Sequence, residues 1–306
     1  MIGRASISAM CLALVLLTAA WPAPSHAQSS WRVGLQVGHW RANELPDELK
    51  NLRTSTGAAA GGLREVDVNL AVANRAAEYL RSAGVTVDLL PATVPPSYRA
   101  DAFVAIHADG SASSRISGWK AAAHWREWEA ATALIEALRA EYGPASGLRW
   151  DGDRVTSNMR GYYAFSSRRF DHSVSTYTPA VILEMGYLTN ANDRRAMTQG
   201  ADRLARGVSN SILRFLRSAP AAGWPEPPPL PDLRATVIVA TANLRAGPGT
   251  SYPIVRSVGR NRILMIEEER GPWLKVFSYR SRNGERWVHR DVVRLQRLSD
   301  EPARDS

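Results

Sequence analysis

The chain has 306 residues and a formal charge of +9, with a hydrophobic content ordinary for a globular protein. At roughly 100–200 residues per domain, this length excludes one small domain and predicts two folded units. The one cysteine, Cys11, lies in the leading segment, so the chain beyond it has neither a disulfide framework nor a thiolate metal site.

Residues 1–27 read as a secretory signal peptide. Arg4 precedes an apolar run from Ile7 to Trp21, and Ser-His-Ala then ends at the expected cleavage point, Ala27. The run is short of the ~20 residues a membrane span needs, so no membrane anchor is expected once it is removed. The positive charge is carried by arginine, the lysines being only Lys50, Lys120 and Lys275. Outside the cytoplasm such a surface favours anionic polymers, cell-wall carboxylates and phosphates rather than nucleic acid.

From 31 to 217 the pattern alternates. Residues 31–38, "WRVGLQVG", read as a strand. Residues 65–84 place Val68, Val72, Ala73, Ala76 and Leu80 at helical spacing and stop at Gly84. Strands are expected at 85–90, 101–106 and "AVILE" (180–184), and helices at 121–143 and 194–218. Strands alternating with amphipathic helices imply an α/β unit with a mainly parallel sheet flanked by helices. Trp119, Trp125 and Trp128, around the first of those helices, read as packing residues rather than a sugar platform.

Residues 218–234 are a Pro-rich linker, "SAPAAGWPEPPPLPDLR". Residues 235–297 hold short β-patterned runs broken by Gly, Pro and Asn, and predict a small all-β barrel. Of its aromatics, Trp273, Tyr279 and Trp287 are expected in the core of so small a unit more than in a groove.

Among the six histidines, His39 and His107 share one placement, each directly after an apolar strand. In an open parallel sheet the carboxyl ends of the strands form the rim where ligands gather. Glu184 ends a third strand in the same sense, and Glu65 opens the first long helix. Two histidines and a carboxylate that leave one position for water make a catalytic zinc site, and a second carboxylate serves proton transfer. Asp67 and Asp109 compete with Glu65 as the oxygen ligand. The residues by themselves fit equally two strand-end histidines bonded to loops.

The segments "VGLQVGHW", "LREVDVNLAVANRAAEYLRSAG", "DAFVAIHADGS" and "PAVILEMGYLTN" resemble, in order and separation, the zinc-dependent N-acetylmuramoyl-L-alanine amidases that cut peptidoglycan. The resemblance implies zinc ligation by His39, Glu65 and His107 and an acid or base role for Glu184. It departs from the family in two places: "HWRANELPDELKN" replaces a glycine-rich turn after the first histidine, and Asp109 stands where asparagine is usual. The loop beside the substrate groove is therefore expected to differ. The segments "ANLRAGPGTSYPIV", "GPWLKVF" and "RWVHRDVVRL" within residues 235–297 resemble bacterial SH3-like domains, which implies retention on the wall. The implied protein is a secreted, wall-associated peptidoglycan hydrolase. Its rivals are a catalytically inactive wall-binding scaffold or activator and a zinc peptidase of the peptide stem.

Overall fold

The computed structural model describes residues 31–125, 128–227, 232–276 and 285–297. The expected signal peptide and Tyr279 lie outside the described residues. From Trp31 onward the chain forms one compact unit.

The first part builds β1 (Arg32–Val37), the two-residue strands β2 (Ala59–Ala60) and β3 (Leu63–Arg64), α1 (Glu65–Ser82), β4 (Thr86–Leu90) and β5 (Ala102–Asp109). It continues with β6 (Lys120–Ala123), α2 (Glu129–Ser146), the one-turn α3 (Ser157–Arg160), β7 (Ala180–Tyr187), α4 (Ala191–Gln199) and α5 (Ala201–Arg217). Five strands form one sheet in the order β4-β1-β5-β7-β6. All neighbours are parallel except β6, which runs antiparallel on the β7 edge.

Strand alternation divides the core in two. Val104, Ile106, Val181 and Leu183 face α1, α2 and α5, where Val72, Leu134, Leu138, Val208 and Ile212 are fully buried. Phe103, Ala105 and Ile182 face the opposite side, covered by Val94, Tyr98, Met159 and Phe165 from connecting segments. The long helices thus cover one face and loops the other, leaving loop residues free to reach the strand ends.

Two expected elements differ. The pattern of residues 121–143 predicts one helix, but Ala121, Ala122 and Ala123 extend the sheet opposite Leu183, Ile182 and Val181, and α2 starts only at Glu129. Alanine favours helix, yet pairing with a buried apolar strand outweighs that weak preference. Trp119 is buried as a packing residue, but it precedes a strand and packs on Trp150 and Tyr142 instead of following a helical stripe. The closing helix is broken at Gly200, which ends α4 and precedes α5.

The last residue of "LTN" starts α4. The Asn190 side chain accepts hydrogen bonds from the Asn192 and Asp193 backbone N–H groups at 2.9 and 3.2 Å, a helix N-cap. Asp193 is fully buried and accepts from the Ser117 hydroxyl at 2.6 Å, the Gly118 N–H at 3.0 Å and the Tyr187 N–H at 2.9 Å. It thereby ties β7, α4 and the approach to β6 together. Asp193→Ala should destabilise the chain by on the order of 3 kcal/mol, because buried donors are left unpaired; a midpoint in urea equal to the parent's would refute this.

The second part is all β: β8 (Leu233–Val237), β9 (Thr241–Arg245), β10 (Ile254–Gly259), β11 (Ile263–Arg270), β12 (Trp273–Val276), β13 (Trp287–His289) and β14 (Val293–Arg297). They form one antiparallel sheet ordered β10-β9-β13-β12-β11-β8-β14. Ala235, Val237, Leu274 and Val288 fill its core. Trp273 and Trp287 are buried, as expected for core aromatics.

Candidate active site

The parallel register puts His107 beside Glu184 across β5 and β7. On the other side β1 ends at Val37, and Gly38 donates its N–H to the Ile106 carbonyl at 2.9 Å, which carries the next residue, His39, over the same rim. Gly38 is required here because a Cβ would lie 2.4 Å from the His107 ring. His39 takes a left-handed φ of 64°, an uncommon conformation for a side-chain-bearing residue. Glu65 enters from the first turn of α1.

The three residues converge. Glu65 Oε1 lies 2.9 Å from His107 Nδ1 and 3.4 Å from His39 Nε2, and one potential ligand atom from each lies within 4.8 Å of the others. The two imidazole rings meet edge to face at 5.1 Å. The rival oxygens are engaged elsewhere. Arg64 donates to Asp67 at 2.6 and 2.8 Å on the exposed side of α1, and Asp109 Oδ2 is paired with Lys120 Nζ at 2.5 Å. His172 is bonded to Glu48 at 2.9 Å and lies outside the cluster.

The hydrogen bonds behind the imidazoles decide which nitrogens are free. His39 Nδ1 is 2.9 Å from the Ser55 carbonyl, which only accepts, so Nδ1 carries the proton and Nε2 presents a lone pair. His107 Nε2 is 3.1 Å from the Tyr162 hydroxyl. That hydroxyl donates to Gln36 Oε1 at 2.9 Å, while Gln36 Nε2 donates to the Ala92 carbonyl and to the Tyr163 hydroxyl, each at 2.8 Å. The chain of donors leaves the Tyr162 oxygen to accept from His107 Nε2–H, which bares Nδ1 toward Glu65. Two aimed lone pairs and a carboxylate oxygen fit a divalent cation of the zinc type.

Electrostatics point the same way. Burial disfavours the charged form of the Glu65 carboxyl, and the Asn69 amide donates to its Oε1 at 3.3 Å. Glu65 also accepts from the Ala58 N–H at 2.7 Å and the Ala108 N–H at 3.1 Å, so it stays charged. Glu184 is the opposite case. Burial, reinforced by the negative charges of Glu65 and Asp109, pushes its carboxyl far above the ordinary value, with Lys120 opposing. Its Oε2 is buried and, among the described residues, has no hydrogen-bond partner. A carboxylate left unpaired beside a charged one is matched to a cation or to a moving proton rather than to stability. A cavity of about 560 Å³, lined in part by His39, His107, Tyr162, Leu49 and Phe170, opens over the cluster.

Tyr162, Gln36 and Lys120 escaped the sequence reading. Gln36 left a signal: an amide inside the apolar strand "RVGLQV" must find buried partners. Tyr162 sits in a loop and left none. If the cluster holds a metal ion, Tyr162→Phe should weaken its affinity by about 10–100-fold, the usual effect of losing a partner behind a metal-bound histidine; unchanged affinity in a chelator competition would remove Tyr162 from the site.

A histidine–glutamate–histidine cluster on the carboxyl rim of a mostly parallel sheet, with a further carboxylate beside it, defines the class: an α/β protein with a candidate metal-assisted hydrolase site. The chain belongs to the N-acetylmuramoyl-L-alanine amidase family, whose profile matches residues 33–214, and the bacterial SH3 domain profile matches residues 240–294. No curated protein matches the chain. Similar solved structures include the apo amidase Ami1 of Mycobacterium abscessus (21% identity, 61% of this chain and 98% of that one, TM-score 0.43). Others are the amidase AmiC2 of Nostoc punctiforme (19%, 61% and 97%, TM-score 0.42) and the catalytic domain of the amidase CwlV from Bacillus (Paenibacillus) polymyxa var. colistinus (20%, 61% and 98%, TM-score 0.41).

Proposed function

We propose that this chain is a secreted zinc amidase that cleaves the bond between N-acetylmuramic acid and L-alanine in peptidoglycan. Family membership supports the amidase activity. The observation that carries the metal-dependent reading is the pair of imidazole lone pairs aimed at Glu65, beside the unpartnered Glu184 Oε2. When bound, zinc would lower the pKa of a coordinated water and polarise the lactyl carbonyl.

The protein's own groups do the rest. His39, Glu65 and His107 are the ligands, with Ser55 and Tyr162 fixing the imidazole tautomers from behind. Glu184 is the proton carrier: its Oε2 takes the proton of the attacking water and passes it to the departing alanine nitrogen. A cation beside it offsets the negative charges that push its carboxyl up, so Glu184 starts as a base. The leading segment supports export, and the SH3 domain supports retention on the wall, with peptidoglycan as the partner.

Mass spectrometry of the products released from purified peptidoglycan tests the bond cut. Stem peptides with an L-alanine amino terminus are the expected product. Fragments cut within the stem would instead show a peptidase, and bound zinc with no soluble product on walls of several chemotypes would show a scaffold.

A further inference from the structure

The amidase site leaves a concentration of arginine beside it unused. A second cavity, of about 680 Å³, is lined by Arg168 and Arg169 from the α/β part and by Arg234, Arg256, Arg262 and Arg286 from the β part. Among the described residues, no aspartate or glutamate lines it. Arg168 has a distant partner in Asp232, at 3.7 Å, and Arg234 donates to Gln296 at 2.8 Å. Among the described residues, Arg256, Arg262 and Arg286 have no ion-pair partner. Arg286 is half-buried, and burial together with the neighbouring Arg256 guanidinium pulls it below the ordinary arginine value. Arg256 and Arg262 are exposed, so desolvation bears on Arg286 alone, but guanidinium groups gathered without a counter-charge raise each other's energy, and an anion between them relieves it.

Position narrows the ligand. The arginine cavity and the cavity over His39 and His107 share Asn158, Gly161, Arg169 and Phe170 in their walls. The arginines therefore lie next to the cavity over the histidine–glutamate cluster. Guanidinium forks match carboxylates in a bidentate manner, and the peptide stem of peptidoglycan carries free carboxylates along its length. We propose that this cleft, built by Arg256, Arg262 and Arg286 opposite Arg168 and Arg169, binds the carboxylates of the peptide stem while its muramoyl end occupies the amidase site. The proposal rests on the amidase reading and deepens it: long anionic stems are held more firmly than short or amidated ones.

Calorimetry on the full chain carrying Glu184→Gln, so that the ligand survives, compares an N-acetylmuramoyl tetrapeptide having free carboxylates with the same compound amidated. The free acid should bind at least about tenfold more tightly, with the advantage shrinking as salt is raised. Adding Arg256→Gln and Arg286→Gln should abolish the advantage, while Arg256→Lys and Arg286→Lys should keep part of it, since the charge remains and the fork is lost. Equal binding of both ligands, or an advantage that survives the glutamine pair, overturns the proposal. So does a glycerol-phosphate polymer that binds through the same arginines more tightly than the peptide. In a separate arm, the parent chain with Glu184 intact should cut N-acetylmuramoyl-L-alanine, which has no longer stem. Failure of the parent to cut it counts against the amidase reading alone, and the binding comparison stands apart from that result.

Discussion

Replacing Glu184 with glutamine lowers turnover on peptidoglycan by on the order of 10²–10⁴-fold, the usual contribution of a positioned acid–base group, while bound zinc stays at the parent's level. Glutamine keeps the shape of a protonated carboxyl but cannot take up a proton, so metal ligation survives and the transfer to the leaving amine does not. A second consequence separates this from simple damage. In the metal-free chain the folded state raises the Glu184 carboxyl, so it holds a proton that the unfolded chain has lost. Stability of that form therefore falls as pH rises above the ordinary carboxylate value and up to the raised one. Glu184→Gln removes this loss, and the chelated variant should melt higher than the chelated parent at pH 7 to 8. Equal turnover of parent and variant would remove Glu184 from the reaction; a lower melting temperature would show that the buried carboxyl is paired after all.

Replacing His107 with alanine has the larger combined effect, loss of both zinc and activity. His107 Nδ1 lies 2.9 Å from Glu65 Oε1, and without it two donors remain, short of the three protein ligands of a catalytic zinc site. Metal analysis should find the variant near-empty after dialysis, and amidase activity should fall well beyond the ~100-fold cost of losing a supporting partner. His39→Ala should behave alike. His172→Ala, whose imidazole is bound to Glu48, should retain zinc. A His107→Ala protein that holds zinc as tightly as the parent would move the metal, and with it the mechanism, elsewhere.

Much of this was legible in the sequence because it depends on short-range pattern. Apolar runs ending in His39, His107 and Glu184 mark strands by local composition, and the spacing from Val68 to Leu80 marks α1 with Glu65 in its first turn. A parallel sheet then sends such strand ends to one rim, which places His39, His107 and Glu184 on the same edge. Chain-order motifs also carried the family.

What only the tertiary structure decided are pairings whose partners are far apart in sequence. Whether Glu65, Asp67 or Asp109 provides the oxygen depends on Arg64 and Lys120 engaging the other two, and Lys120 reaches Asp109 because β6 forms a strand where alanine-rich sequence favours helix. Tyr162 supports His107 across 55 residues of chain, and nothing in its loop announces that contact. The arginines of the cleft are scattered from 168 to 286 and form no run in the sequence. Local propensity is a matter of tenths of a kcal/mol per residue, enough to write the elements. The protonation of a buried group and the charge of a cleft are sums over neighbours that only the packed chain brings together.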